Sequence, residues 1–297
     1  MKIYEIEYSQ IKDRIDAEFY KYVDIENKLL EIPCTKLGDL LEKIVRDPMA
    51  YGFSYIENGI PYYRVDDLKN PFIGDKKTVF ILDKTNKELK KTMLKNMDII
   101  MAVRGSTIGR LGLYNGEDYN ANISPNVIIL RPKNKSISSY LAILLLSKIG
   151  KIQIEKATAG TGQPTITVPY LQEILVPNPS NDLKKEIEET VKKAFLNNEE
   201  AINKYKEAEI ELNKLIGIEE LEFMHSISFG SLFNDIYTSD RLDVEYYLPK
   251  YTQISQILEK TGYEVKKLNE LCKEKIRKVD ITKKKHYFCS AKCEANY

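Results

Sequence analysis

The sequence has no tryptophan and only two histidines, His225 and His286. Catalysis that depends on a histidine base, or on a histidine-rich metal centre, is poorly supplied. No G-x-S-x-G nucleophile elbow occurs. Neither a G-x-x-x-x-G-K-[ST] phosphate loop nor a G-x-G-x-x-G dinucleotide fingerprint is present. "RGSTIGRLG" and "AGTGQP" carry glycines but lack the lysine and strand–helix setting of a phosphate cradle, so they read as turns. The [DNS]-P-P-[YFW] loop of adenine methyltransferases is missing too. Its nearest approaches, "NPF" at Asn70 and "SPN" at Ser124, lack the double proline. The expectation is a chain with no catalytic residues and no cofactor.

Cysteine is scarce: Cys34, Cys272, Cys289 and Cys293. Such usage fits reduced cytosolic thiols rather than a disulfide framework. Cys272, His286, Cys289 and Cys293 can be forced into a four-ligand zinc site, but nothing in their setting supports it. No metal is expected. Long apolar runs are also absent. The longest, "YLAILLLSKIG" from Tyr140 to Gly150, is well short of the roughly 20 residues a membrane span needs. The opening "MKIYEIEYSQ" has no signal-peptide core. These features predict a cytoplasmic protein with no membrane partner.

What is present is unevenly charged. The net charge is +1 over 297 residues. Residues 1–180 hold 25 basic and 22 acidic side chains, residues 181–261 hold 10 and 17, and residues 262–297 hold 10 and 5. That balance argues against a non-specific nucleic-acid coat, whose affinity comes from phosphate neutralisation. It leaves room for a sequence reader with a local basic face.

The chain also restates its opening. Asp13, Arg14, Asp16, Glu18 and Tyr20 return as Asp240, Arg241, Asp243, Glu245 and Tyr247. Ile15, Ala17 and Phe19 return as Leu242, Val244 and Tyr246. After short slips Ile25 matches Ile254, Leu29 matches Leu258, and Lys36-Leu37 matches Lys267-Leu268. The second copy then stops with the chain.

Between the copies, residues 45–180 alternate short β-rich runs with turns. "TVFIL" (78–82), "DIIMAV" (98–103), "GRLGLY" (109–114) and "NVIILRP" (126–132) read as strands. "SSYLAILLLSKIG" reads as a buried helix starting on Ser138 or Ser139 and stopping at Gly150. From Leu183 to Ile216 there is neither proline nor glycine, and Gly217 is a natural stop. Val191, Ala194, Asn198, Ala201, Tyr205, Ala208, Leu212 and Leu215 follow alternating steps of three and four, a heptad seam. The helix spans about 50 Å. So narrow a stripe calls for a partner helix, with Asn198 setting register. The alternative is a long helix lying on its own globular domain.

Glu26 and Lys28, with Asp13 and Asp16 upstream, resemble a metal-nuclease E-x-K pattern. The repeat argues against that reading, because the positions matching Glu26 and Lys28 are Ser255 and Ile257. The aliphatic frame recurs, not the charges, and this favours a solvated helix face.

Taken in order, the opening "DRIDAEFY", the stretch "NGIPYYRVDDLKN" (58–70), "MDIIMAVRGSTIGRLGLY", the closing "AGTGQPTITVPYLQEILVPNP" and the helix after it resemble the specificity subunit of type I restriction-modification systems. Two departures are visible. "NPSNDLKKEI" replaces the family's Pro-Pro-Leu-x-x-Gln stretch, and only the first part of a second domain is present. The resemblance implies a mixed α/β (α+β) target recognition domain over 1–180. A coiled-coil spacer helix over 181–217 and an incomplete second target recognition domain over 218–297 follow. It implies a non-catalytic subunit whose partners are double-stranded DNA and methylation subunits, with restriction subunits joining through these. Each recognition domain would read one half of a split site. A non-reading scaffold or truncated remnant, and a half-size subunit working as a homodimer, are the alternatives.

Specificity requires side chains that reach base edges, with others holding phosphates. Arg64, Arg104 and Arg110 can bond guanine bidentately, and Gln163 can do the same to adenine. Arg46, Lys76 and Lys77 are candidate phosphate contacts. Tyr62, Tyr63, Ser106, Thr107 and Thr161 are candidates at loop tips. The eight seam residues are the candidate helix interface.

Overall fold

The computed structural model describes residues 23–46, 52–74, 78–159, 164–218 and 243–260, together with 11, 230, 237, 241, 262, 264, 266, 268–274 and 293–295. The first copy of the repeated opening, residues 13–22, lies outside them. The chain divides into two compact units, Met1–Asn198 and Glu199–Tyr297.

In chain order the first unit begins with α1 (Val23–Leu30), β1 (Cys34–Lys36), the single turn α2 (Leu37–Leu40) and β2 (Leu41–Arg46). Next come β3 (Ile60–Tyr63), β4 (Val79–Ile81), α3 (Asp83–Glu88), β5 (Ile99–Ala102) and β6 (Leu111–Leu113). β7 (Asn122–Ile123), β8 (Val127–Pro132), α4 (Ser138–Leu146) and α5 (Lys148–Lys156) follow. The unit closes through β9 (Thr158–Ala159), β10 (Thr165–Ile166), α6 (Val168–Gln172), β11 (Leu175–Pro177) and the start of α7 (Asn181–Ile216).

Two sheets organise this unit. One is antiparallel, in the order β2-β8-β5-β6. The other runs β4-β3-β7, with β3 and β7 parallel. The runs "DIIMAV" and "NVIIL" are apolar at every position because the first sheet is covered on both faces. Ile99, Met101, Ile128 and Leu130 point into one core with Leu141, Leu145 and Ile154. Ile100, Ala102, Val127 and Ile129 point into the other with Leu68, Leu94, Tyr114 and Ile123. The side-chain period of two assigns alternate residues of one strand to different cores.

The expected helix over Ser138–Gly150 forms as two. α4 ends at Leu146 and α5 leaves it at 76°. Ser147 makes the break: its backbone turns extended and its Oγ accepts from the Gly150 amide at 3.2 Å, capping α5. Gly150 is therefore near the beginning of a helix, not the end of one. A Cβ there would collide with the backbone of Leu144 and Leu145, so the tight corner needs glycine. Among the described residues no single helix is long and apolar enough to cross a membrane.

α7 runs unbroken for 36 residues. Ser180 Oγ accepts from the Leu183 amide at 3.3 Å at its start. At its end Gly217 takes φ 75°, with Gly217 N donating to Lys214 O and Ile218 N to Asn213 O. That pair of bonds is the Schellman stop a glycine permits.

In the second unit, Val244–Tyr247 forms a 3-10 turn, followed by α8 (Pro249–Lys260), α9 (Leu268–Leu271) and a β12 (Cys272–Glu274)–β13 (Cys293–Ala295) pair. Arg241 grips Asp243 through two bonds of 2.8 and 2.7 Å, and the Tyr247 hydroxyl donates to Arg241 O at 2.6 Å. Arg, Asp and Tyr at these spacings thus close one local turn, a structural reason for them to recur together.

Candidate nucleic-acid interface

The site is built by strand ends. β2 finishes at Arg46, opposite Ile128 of β8. Ile128 is also opposite Met101 of β5, so Arg104, just past β5, leaves the sheet at the same end as Arg46. Arg110 lies at the other foot of the same hairpin, its carbonyl accepting from the Ala102 amide at 2.8 Å. Three arginines therefore share one end of the four-stranded sheet.

The connection between β5 and β6 is a compact turn. Gly105–Thr107 forms a 3-10 turn, and Gly105 and Gly109 take φ of 75° and 79°. L side chains rarely adopt such angles, so both glycines are required by the turn. Arg110 N bonds Thr107 O at 2.9 Å, and Thr107 Oγ1 bonds Arg104 O at 3.4 Å. Arg104 and Ser106 are exposed, while Thr107 and Arg110 are half-buried. The segment before α6 is tied to this turn. Gly105 N donates to Pro164 O at 3.1 Å, Ile166 N donates to Val103 O at 3.0 Å, and Arg104 bridges Thr165. β9 and β10 pair, with Thr165 opposite Ala159. Thr161 and Gln163 themselves lie outside the described residues, as do Lys76 and Lys77.

The Nη2 of Arg46 is buried without a hydrogen-bond partner. Burial lowers its pKa below the ordinary arginine value, and the nearby Arg104 charge lowers it further.

Tyr62, Tyr63 and Arg64 belong to the other sheet. β3 lies beside β7, and Ser124 N bonds Tyr63 O at 2.9 Å, so Arg64 follows β3 next to the loop that leads into β8. Tyr62 is 2% exposed and packs edge-on against Phe53 at 5.3 Å, which makes it a core residue, not a loop-tip contact. Tyr63 is half-buried against Tyr114, and burial, then Asp67, raises its phenol pKa. Arg64 is held by Asp67, whose Oδ2 accepts from Arg64 N at 2.7 Å and lies 3.6 Å from its Nε. Thr78 donates to the other carboxylate oxygen at 3.0 Å. Asp67 is a positioning group the sequence reading passed over. Its signal was an aspartate three residues after the arginine in "RVDD".

The seam of α7 splits in two. Val191 is buried, with Ile187 and Phe195 packed on the same core, and Phe195 meets Phe72 edge-on at 5.1 Å. Ala194 and Asn198 are half-buried. Beyond them Ala201, Tyr205, Ala208, Leu212 and Leu215 are exposed, Tyr205 at 70%. Among the described residues no cluster of His, Cys, Asp or Glu could hold a metal ion. Glu26, Cys272, His286, Cys289 and Cys293 have no described side chains.

A mixed α/β domain with Arg46, Arg104 and Arg110 at one end of its four-stranded sheet runs into one long helix. Residues 34–212 match the family described as type I restriction modification DNA specificity domain, and the chain belongs to that family. It is similar to the MjaVIII type I restriction enzyme specificity subunit of Methanocaldococcus jannaschii, 27% identical over 142 residues. That match covers 46% of this chain and 33% of the relative. A second specificity-subunit relative from the same organism, MjaX, is 26% identical over 179 residues, 57% of this chain and 42% of its own. The S subunit of a type I restriction-modification system from M. genitalium overlays with a TM-score of 0.42 and 18% identity, covering 63% of this chain and 46% of that one. The chain thus matches less than half the length of each of these relatives.

Proposed function

We propose that the chain is the DNA-reading subunit of a type I restriction-modification complex and carries no catalysis of its own. Residues 1–180 act as a target recognition domain for one half of a split site, 181–217 as the spacer, and 218–297 as the opening of a second such domain. Methylation subunits dock along α7 and bring the methyl-transfer chemistry, and restriction subunits join through them. The observation that carries this reading is the convergence of Arg46, Arg104 and Arg110 at one end of a rigid sheet. Sites held by strands keep their side chains in register far better than free loops do.

The test is selection of bound DNA from a random library by the chain together with its methylation partner. A defined half-site is expected. Arg110→Ala should relax preference at one base pair, at a cost of about 1–3 kcal/mol. Binding with no sequence preference at any salt concentration would favour the non-reading scaffold instead. A second reading, two copies paired through α7, rests on the exposed stripe from Ala201 to Leu215. It requires a palindromic split site, because both readers would be identical.

A further inference from the structure

Two like charges at one strand end need an explanation. Arg46 and Arg104 leave adjacent ends of β2 and β5 with only β8 between them. Strands are about 4.8 Å apart, so two arginine side chains reach a common point with ease. Burial and the Arg104 charge both work against the Arg46 cation, and its Nη2 has no acceptor. Arginine does not resolve such strain by losing its proton. Among the described residues no carboxylate forms an ion pair with either side chain.

The chemistry of the missing partner follows from that charge. A guanine edge offers two acceptor atoms and no net charge, so it answers one fork and leaves the repulsion in place. A phosphate diester offers a full negative charge and oxygens enough for two forks. We propose that Arg46 and Arg104 form one clamp for a single phosphate of the DNA backbone. Arg104 then fixes the position of the duplex instead of reading guanine, and base reading at this end of the sheet falls to Arg110. The proposal takes its ligand's source from the DNA-reading function above.

Two experiments on the full chain test it. In complex with the methylation subunits, Arg46→Ala and Arg104→Ala should each weaken DNA binding about tenfold at 0.1 M salt. The loss should be equal for target and unrelated DNA. The double variant should lower the salt dependence by about one phosphate, not two, since both side chains hold the same group. Arg104→Gln, which keeps most of the side chain's length, should reproduce the loss and covers the case in which alanine disturbs folding. Relaxed preference at a single base pair in Arg104→Ala or Arg104→Gln overturns the clamp and makes Arg104 a base reader.

The second experiment needs no DNA. Inorganic phosphate should raise the melting temperature of the wild-type chain more than that of Arg46→Ala or Arg104→Gln. Equal shifts in all three overturn the clamp. A phosphate-dependent shift lost in both variants, in a chain that shows no DNA preference, keeps the anion clamp and removes the DNA-reading function.

Discussion

Asp98 and Arg131 are both charged and both buried, at 1% and 7% exposure. Arg131 Nε donates to Asp98 Oδ1 at 2.8 Å and Nη2 to Oδ2 at 2.7 Å. Nη2 also reaches Met93 O at 3.1 Å, and Lys95 N donates to Asp98 Oδ2 at 2.8 Å. The bidentate pair ties the start of β5 to the end of β8, the two central strands of the four-stranded sheet. Removing one partner strands the other charge in the core, a loss of about 3–5 kcal/mol. Asp98→Asn should therefore lower the melting temperature by about 10 °C, read by thermal denaturation. The paired change Asp98→Leu with Arg131→Met should recover most of it, since apolar replacement of a whole buried pair is often neutral or better. The same scale holds an alkaline limit. Burial, ahead of neighbouring Tyr63 and acidic groups, pushes the Tyr114 phenol above the ordinary tyrosine value, and its hydroxyl donates to Glu117 O at 2.8 Å. Tyr140, buried and bonded to Pro177 O at 2.7 Å, is raised in the same direction. A group whose folded pKa is raised holds its proton longer in the folded state. Its contribution is complete below the unfolded value of about 10 and is lost as pH rises above it. Urea midpoints should be level from pH 8 to about 10 and fall beyond. Tyr114→Phe should show a shallower alkaline fall than the wild type.

The elements divide by what the sequence could reveal about them. β5, β6 and β8 were legible because their apolar runs are bounded by glycine, asparagine, aspartate and proline, and their ends moved by only a residue or two. The stop of α7 was legible because Gly217 supplies the left-handed turn. β1, β2 and β11 were not, since Cys34–Lys36 and Leu41–Arg46 are short or charged and gain strand character only from their partners. The break at Ser147 was hidden for a related reason. Its apolar surroundings favour continuation, and only tertiary packing on Gly150 rewards the corner. At the candidate site, the three arginines could be picked out as residue types, but their convergence is a matter of register, which no single segment encodes. Tyr62 went the other way: an aromatic expected at a loop tip became core because β4 and β7 flank its strand. The Arg104 turn gives a direct test at this scale. Gly109 has φ 79°, and a Cβ there would press on Ile154 at 3.2 Å. Gly109→Ala should cost about 1–2 kcal/mol from the backbone alone. Denaturant titration should show that loss, and DNA affinity should drop with it because Arg104 and Arg110 hang on the same turn.

For the whole molecule, the question is what covers α7 beyond Asn198. The exposed stretch from Ala201 to Leu215 amounts to two heptads, with Ile202, Tyr205, Ile210, Leu212 and Leu215 as its large apolar side chains. Burying a large aliphatic side chain contributes about 1.5–3 kcal/mol, while association itself costs about 4–15 kcal/mol. Two such short stripes facing each other therefore leave little surplus, and self-pairing through this face alone should be no tighter than about micromolar. A larger preformed surface, such as a methylation subunit, can add contacts along the helix flanks that a second thin stripe cannot. Sedimentation of the chain alone should accordingly show a monomer below about 1 μM, with a stoichiometric complex forming at the same concentration once the methylation subunits are added. Leu212→Glu with Leu215→Glu should abolish that complex. Both positions are exposed, so the melting temperature of the free chain should barely move, with a stability change within about 0.5 kcal/mol. A tight dimer at nanomolar concentration, lost in the same double variant, would reverse the assignment: α7 would then pair with its own copy first, and the recognised site would have to be palindromic.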